Sequence, residues 1–258
     1  MDALTPHAAR SAHTPAATHI ALHAAQVPPC VRLIGSPDSG KLGDRHCDGH
    51  CPAPWGGCAA RDLASHDTLF NGGDRETLIY RVISGVVALF KILANGRRQI
   101  TGFALPGDFI GLDFASHRPC HAEAVTPVRL RCVAKEAVHK AARENPAIAY
   151  KLYEAVAADL GAAQDLALTL GQRTAPESVA AFLLLLSRRN ARRGEDALRI
   201  DLPMRRTDIA DHLGLTIETV SRTLTRFKRR GLIGLSGFRH VEIRNMAGLR
   251  ALAEDGAE

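Results

Sequence analysis

Residues 204–233 read MRRTDIADHLGLTIETVSRTLTRFKRRGLI, and their pattern decides the fold of the C-terminal third. Ile209, Leu213 and Leu215 supply the apolar contacts of a short helix and its turn, and Ala210 is small where two helices cross closely. Gly214 falls where the chain must turn sharply with φ > 0, a conformation open to glycine. Thr216 is a good N-cap for the helix that follows. That helix runs from about 217 to 229. Val220, Leu224 and Phe227 face inward, and Glu218, Ser221, Arg222 and Thr225 share the outward face. An ordinary charged surface helix would not need the small residue, the turn glycine and the N-cap at these offsets. Together they predict a helix-turn-helix, its second helix in a DNA major groove with N-terminal side chains at base edges. Arg222 can hold guanine O6 and N7 with two bonds, Glu218 can accept from a cytosine amino group, and Ser221 suits several edges. Arg205, Arg206, Arg226 and Lys228, with Thr216 at the helix start, are the phosphate-contact candidates.

The charge distribution agrees. Between Ser187 and His240 there are thirteen Lys and Arg against six Asp and Glu, whereas the whole chain carries only +6, so the remainder is near −1. A neutral body with a basic module points to a polyanion, most simply double-stranded DNA. After the helix pair, residues 232–235 and 240–243 around Ser236-Gly237 read as a β-hairpin wing. Before it, residues 176–189 form a helix carrying Phe182 and four consecutive leucines. Farther back, Asn145-Pro146 starts a long helix ending near Gly171. Its stripe is Ile148, Leu152, Val156, Leu160, Ala163, Leu166 and Leu170, which suits either packing on its own domain or the seam of a homodimer.

From about Leu69 the pattern is β: strands at 78–83, 86–93, 97–103, 122–125 and 128–132, with Asn95-Gly96 as a two-residue hairpin turn. Several short strands with regular turns suggest a small β-roll. Residues 45–60, RHCDGHCPAPWGGCAA, are too dense in Cys, Gly and Pro for regular structure, and residues 1–44, rich in Ala, His and Pro, read as a disordered tail. The expected organisation is therefore tail 1–44, cysteine loop and β-roll 45–144, long helix 145–172, DNA-binding domain 173–250 and tail 251–258.

Of the 258 residues, 46% are hydrophobic, enough for a buried core. No run of about 18 apolar residues exists, so no membrane span is expected. His and Pro interrupt every apolar stretch before Cys30, which reads against a signal peptide and for the cytoplasm, where thiols stay reduced. An enzyme is not expected: the chain lacks a dinucleotide-type glycine loop, a metalloprotease histidine pair and a nucleophile elbow.

Six cysteines in such a compartment suit metal ligation, reactive thiols or core packing. Cys47, Cys51 and Cys58 lie close together, and thiolates are soft ligands for iron–sulfur clusters or zinc. A cubane cluster needs a fourth ligand. Cys132 ends the strand VRLRC, Cys120 sits in a loop and Cys30 in the tail. Zinc held by His46, Cys47, His50 and Cys51, or a metal-free thiol switch, are the alternatives.

Over roughly residues 45–245 the chain resembles the CRP/FNR transcription regulators. Four segments carry the resemblance: YRVISGVVALFKILANGRRQITGFALPGDFIGL, the long helix, ESVAAFLLLLSRR, and above all LGLTIETVSRTLTRFKRRGLI. It implies an α+β fold: an N-terminal β-roll of the cyclic-nucleotide-binding kind, a dimerisation helix and a C-terminal winged helix-turn-helix. Glu-Thr-Val-Ser-Arg at 218–222 looks like the recognition helix of the FNR/FixK branch. That resemblance implies two TTGAT half-sites in an inverted repeat, with Arg222 on the guanine, Glu218 on the opposite strand and Ser221 on a thymine. It also implies a 4Fe–4S cluster on Cys47, Cys51, Cys58 and Cys132, oxygen as the signal, and RNA polymerase as a partner contacted from loops such as residues 94–98. Where the cyclic-AMP-binding branch has an Arg-Ser phosphate cradle, this chain has Arg118 followed by Pro119-Cys120, so a cyclic nucleotide is not expected. Oxygen-sensing relatives can carry an acid on the helix seam. The match puts that position at Ala163, with Asp159 and Asp165 on the flanks.

Overall fold

The computed structural model describes residues 59–254, apart from 76, 113–115 and 238. The cysteine triad Cys47, Cys51 and Cys58 and the zinc alternative with His46 and His50 lie outside the described residues.

Among the described residues, eight strands build the first half: β1 (Ala59–Leu63), β2 (Thr68–Phe70), β3 (Leu78–Ser84), β4 (Val87–Ile92), β5 (Arg98–Ala104), β6 (Phe109–Ile110), β7 (His121–Ala124) and β8 (Val128–Ala134). They form two four-stranded sheets, ordered β1-β8-β3-β6 and β2-β7-β4-β5, with antiparallel pairing. In β8 the two-residue period is plain. Val128, Leu130 and Cys132 are buried between the sheets, while Arg129 and Arg131 turn outward.

Two expectations change here. Ala59 and Ala60, read as the end of an irregular loop, begin β1, because pairing with β8 satisfies their backbone whatever the local composition. The Asn95-Gly96 hairpin is not a two-residue turn. Leu93 donates its N–H to the Arg97 carbonyl (2.9 Å), which leaves Ala94, Asn95 and Gly96 as a three-residue loop. Gly96 alone among them has positive φ, +79°, so the loop is of the bulged kind with glycine in the left-handed position.

Helix α1 (Lys135–Glu144) follows β8 and had no distinct signal of its own. Asn145 then breaks the chain, and its side-chain oxygen accepts from the Ala147 N–H (3.0 Å) to cap α2 (Pro146–Gly171). The apolar stripe of α2 does not stay on one side. Ile148 is buried in its own chain and Leu166 is half-buried beside the β-roll, whereas Val156, Leu160, Ala163 and Leu170 are exposed. The reason is that the two ends of α2 pack on different elements, α1 at its start and β5 near its end.

Asp159 leans toward its own chain. Crowding by neighbouring protein, with the Asp108 charge added, pushes its carboxyl up to about 6, and Arg189 only partly opposes this. An acid whose folded pKa is raised costs the fold nothing below about pH 4 and its full penalty above about pH 6. Asp159→Asn is therefore expected to stabilise the protein at neutral pH and not near pH 4. Solvent screening of this surface-exposed carboxylate limits the gain to about 1 kcal/mol. Thermal unfolding across this range checks the sign; a gain equal at both ends would reject it.

The second half holds α3 (Ala175–Arg192), β9 (Arg199–Asp201), α4 (Arg206–Leu213), α5 (Ile217–Arg229), β10 (Ile233–Ser236), β11 (His240–Ile243) and α6 (Met246–Glu254). Strands β10, β11 and β9 make a three-stranded antiparallel sheet, so the expected wing gains β9. Helix α6 continues through residue 250, where a tail was expected, because Leu249 and Leu252 are buried under α3.

Two hydrophobic cores result. One fills the β-roll around Leu69, Tyr80, Val82, Leu130 and Cys132. The other starts on β4 and β5 with Phe90, Ile100 and Phe103 and runs without a break into Phe182, Leu183, Ile209, Val220 and Phe227. The β-roll thus supplies one wall of the core beneath the helix-turn-helix.

Candidate nucleic-acid interface

Helices α4 and α5 meet through a turn with the anticipated chemistry. Gly214 caps α4 at φ +67°, ψ +28°. A Cβ there would come within 2.8 Å of the Leu170 Cδ2 of α2, which can swing aside, so it is the left-handed backbone that favours glycine here. Thr216 Oγ1 accepts from the Thr219 N–H (3.2 Å), the expected N-cap. Val220, Leu224 and Phe227 are buried, and Glu218, Ser221, Arg222 and Thr225 are exposed, as the spacing indicated.

On this outer face, Arg222 Nη2 lies 3.4 Å from Thr219 Oγ1 and so leans toward the start of α5. The backbone amide at the helix N-terminus, with the Thr216 hydroxyl, holds the Glu218 carboxyl below its usual range, and Arg222 adds to this. Glu218 is thus an ionised acceptor beside the Arg222 donor on the exposed face of α5. Arg226 and Lys228 lie exposed farther along the helix. Arg206 is half-buried, and that burial lowers its pKa.

Arg205 is placed differently from the other phosphate-contact candidates. Its guanidinium donates to His66 Nε2 (2.7 Å), and His66 Nδ1 lies 3.3 Å from Glu123. Both partners belong to the β-roll. Sequence reading missed this docking, in which α4 sits directly on β5. Arg98 reaches Asp208 and, at 3.1 Å, Asp211. Gln99 Nε2 donates to the carbonyls of Asp211 (2.8 Å) and His212 (3.2 Å), and His212 Nδ1 lies 3.1 Å from the Ile100 carbonyl. Burial holds the His212 imidazole below its usual pKa, hence neutral, so Nδ1 carries the proton and donates it to that carbonyl. No local pattern marks these contacts, since the partners stand about 110 residues apart.

Of the expected cluster ligands, Cys132 is the one within the described residues. It is buried, burial pushes its thiol up with Arg61 opposing, and its register partner on β1 is Ala59, the residue after Cys58. Among the described residues, no three His, Cys, Asp or Glu side chains group as a metal site. Arg118 is buried; it donates to the Leu78 carbonyl (2.5 Å) and lies over the Phe70 ring at 4.3 Å. Its guanidinium is thus engaged in the wall of the roll.

This geometry is that of a winged helix-turn-helix DNA-binding protein joined to a β-roll. Residues 177–252 match the Crp-like helix-turn-helix domain, and residues 60–145 match the cyclic nucleotide-binding domain. The chain is 42% identical over 173 residues to the nitrogen fixation regulation protein FixK of Bradyrhizobium diazoefficiens, spanning 67% of this chain and 73% of that protein. It is 33% identical over 202 residues to the transcriptional activator protein FnrL of Cereibacter sphaeroides, spanning 77% and 82%. Among solved structures it is similar to FixK2 from Bradyrhizobium japonicum, at 37% identity and a TM-score of 0.72, over 78% of this chain and 99% of that one. The chain belongs to the CRP/FNR family: it is a DNA-binding transcription regulator and not an enzyme. Among the described residues, no helix is long and apolar enough to cross a membrane.

Proposed function

We propose that this protein is an oxygen-responsive cytoplasmic transcription activator of the FNR type, binding TTGAT-like inverted repeats as a homodimer. The observation that carries the sensing half is the register of β1 on β8. Ala59 pairs with Cys132, so the segment that bears Cys47, Cys51 and Cys58 enters the fold at the strand position of the fourth cysteine. A soft ligand set divided between that segment and β8 fits a 4Fe–4S cluster, with Cys47, Cys51, Cys58 and Cys132 holding it. When bound, the cluster supplies an oxygen-labile tie between the cysteine segment and β8.

The remaining steps belong to the chain. Residues Val156, Leu160, Ala163 and Leu170 leave an exposed apolar stripe on α2 for a second copy. Two α5 helices then address half-sites about 34 Å apart. Glu218, Ser221 and Arg222 read bases while Arg226 and Lys228 hold phosphates. Contact with RNA polymerase falls to the exposed tip of the β4–β5 hairpin, residues 94–97, since Arg98 is turned to α4.

Anaerobic purification tests the proposal. The expected product is a coloured protein with iron and acid-labile sulfide that binds a TTGAT repeat, and air should remove both colour and binding. Stoichiometric zinc with oxygen-indifferent binding would overturn it.

A further inference from the structure

The docking of α4 on β5 leads beyond the roles already given. We propose that Arg98 is a positioning residue for DNA recognition: it fixes the angle of the helix-turn-helix on the β-roll and so sets which half-site spacing the dimer accepts. The inference rests on the homodimeric reading above.

Arg98 holds α4 at two points. Its guanidinium meets Asp208 in the first turn and Asp211 three residues on, the latter at 3.1 Å. Two contacts along one helix restrain rotation as well as position, and they add a charged restraint to the packed core and to the Gln99 and His212 hydrogen bonds across the same seam. The same guanidinium is anchored on the β-roll side, 5.1 Å from the Phe90 ring centroid and 3.9 Å from Glu123. Asp208 has a second task, accepting the Arg205 N–H (2.9 Å) that starts α4. The helix terminus and the sensor strand are therefore joined through one carboxylate. The Asp208 pair is largely shielded, with the Asp208 side chain 9% and that of Arg98 26% exposed, and is screened less than a surface pair, while Asp211 is more open at 34%.

The clamp uses the flank of α4 away from the reading face, and Glu218, Ser221 and Arg222 remain exposed while it is closed. It is thus compatible with bound DNA. Helix α5 has 13 residues and is about 20 Å long. Tilting it by about 10° about its far end moves the reading end, which carries Glu218, Ser221 and Arg222, by about 3.5 Å, close to the ~3.4 Å rise of one base pair. A loss of angular restraint at α4 on this scale lowers the penalty on a repeat of the wrong spacing, which shifts and turns one half-site relative to the other, while a lone half-site does not register it.

The test measures affinity of the full-length, anaerobically purified protein for three kinds of duplex: the repeat at its preferred spacing, repeats one base pair longer or shorter, and a single half-site. Arg98→Ala is expected to lower the preference for the correct spacing by about tenfold, the size of an ordinary coupling between sites. Half-site affinity should stay within about twofold. Asp211→Ala, on the partly exposed partner, should act alike and covers the case in which Arg98→Ala does not fold. An unchanged spacing preference in Arg98→Ala or Asp211→Ala would overturn this inference alone. So would half-site and full-site affinities falling together, which marks general damage. Wild-type protein indifferent to spacing would instead overturn the dimeric reading, and this inference with it.

Discussion

Cys132→Ser is expected to leave the anaerobically purified protein without iron or acid-labile sulfide, while Cys120→Ser and Cys30→Ser keep both. The contrast is steep because Cys132 sits on β8 opposite the first residue of β1, whereas Cys120 lies in the loop before β7. A serine oxygen is a hard ligand and does not replace a thiolate on iron. The substitution also puts a hydroxyl among Tyr80, Val82 and Leu130, a change of about 1–3 kcal/mol if it finds no partner. Cys132→Ala avoids that polar cost, so loss of cluster in both variants, with the fold intact by circular dichroism, isolates ligation. Full iron and sulfide content in either variant would remove Cys132 from the ligand set.

The second large effect lies at the reading helix. Arg222→Ala is expected to cost about 1–3 kcal/mol on a TTGAT-type repeat, roughly 5- to 150-fold per contact, and to relax the preference at the guanine. Arg222 leans toward the start of α5, where its Nη2 meets Thr219 Oγ1 at 3.4 Å, on the same exposed face as Glu218. Lys228→Ala, by contrast, should weaken matched and mismatched sites alike and reduce the salt slope by about one. Competition binding against guanine-substituted sites separates the two. Undiminished discrimination by Arg222→Ala would remove it from base reading.

The helix-turn-helix was legible almost to the residue because every one of its signals is local. A turn glycine, an N-cap and apolar spacings of three and four all act within one or two helical turns. The long helix was legible for the same reason, down to its start at Asn145-Pro146. The strands came out within a residue or two where alternation was clean, as in β8. The hairpin loop after β4 was misjudged because Asn-Gly fits both two- and three-residue turns, and the choice depends on strand twist. The docking of α4 on β5 had no local sign at all. Arg98 was placed in the loop assigned to RNA polymerase, Asp208 and Asp211 drew no reading, and only the fold brings them together. The split of the α2 stripe was hidden likewise, since a helix pattern records what is apolar and not which neighbour covers it.

One feature of the fold bears on synthesis. The core beneath the helix-turn-helix is walled by Phe90, Ile100 and Phe103, which the chain makes about 110 residues before Ile209 and His212 arrive to cover them. At roughly 5–20 residues per second, that wall waits about 5–20 s on the ribosome with its apolar side chains bare. During this interval the nascent β-roll is a sticky half-molecule, and its own C-terminus is the natural cover for it. The seam that joins sensor to reader in the finished protein is thus also a surface sealed late as the protein is made.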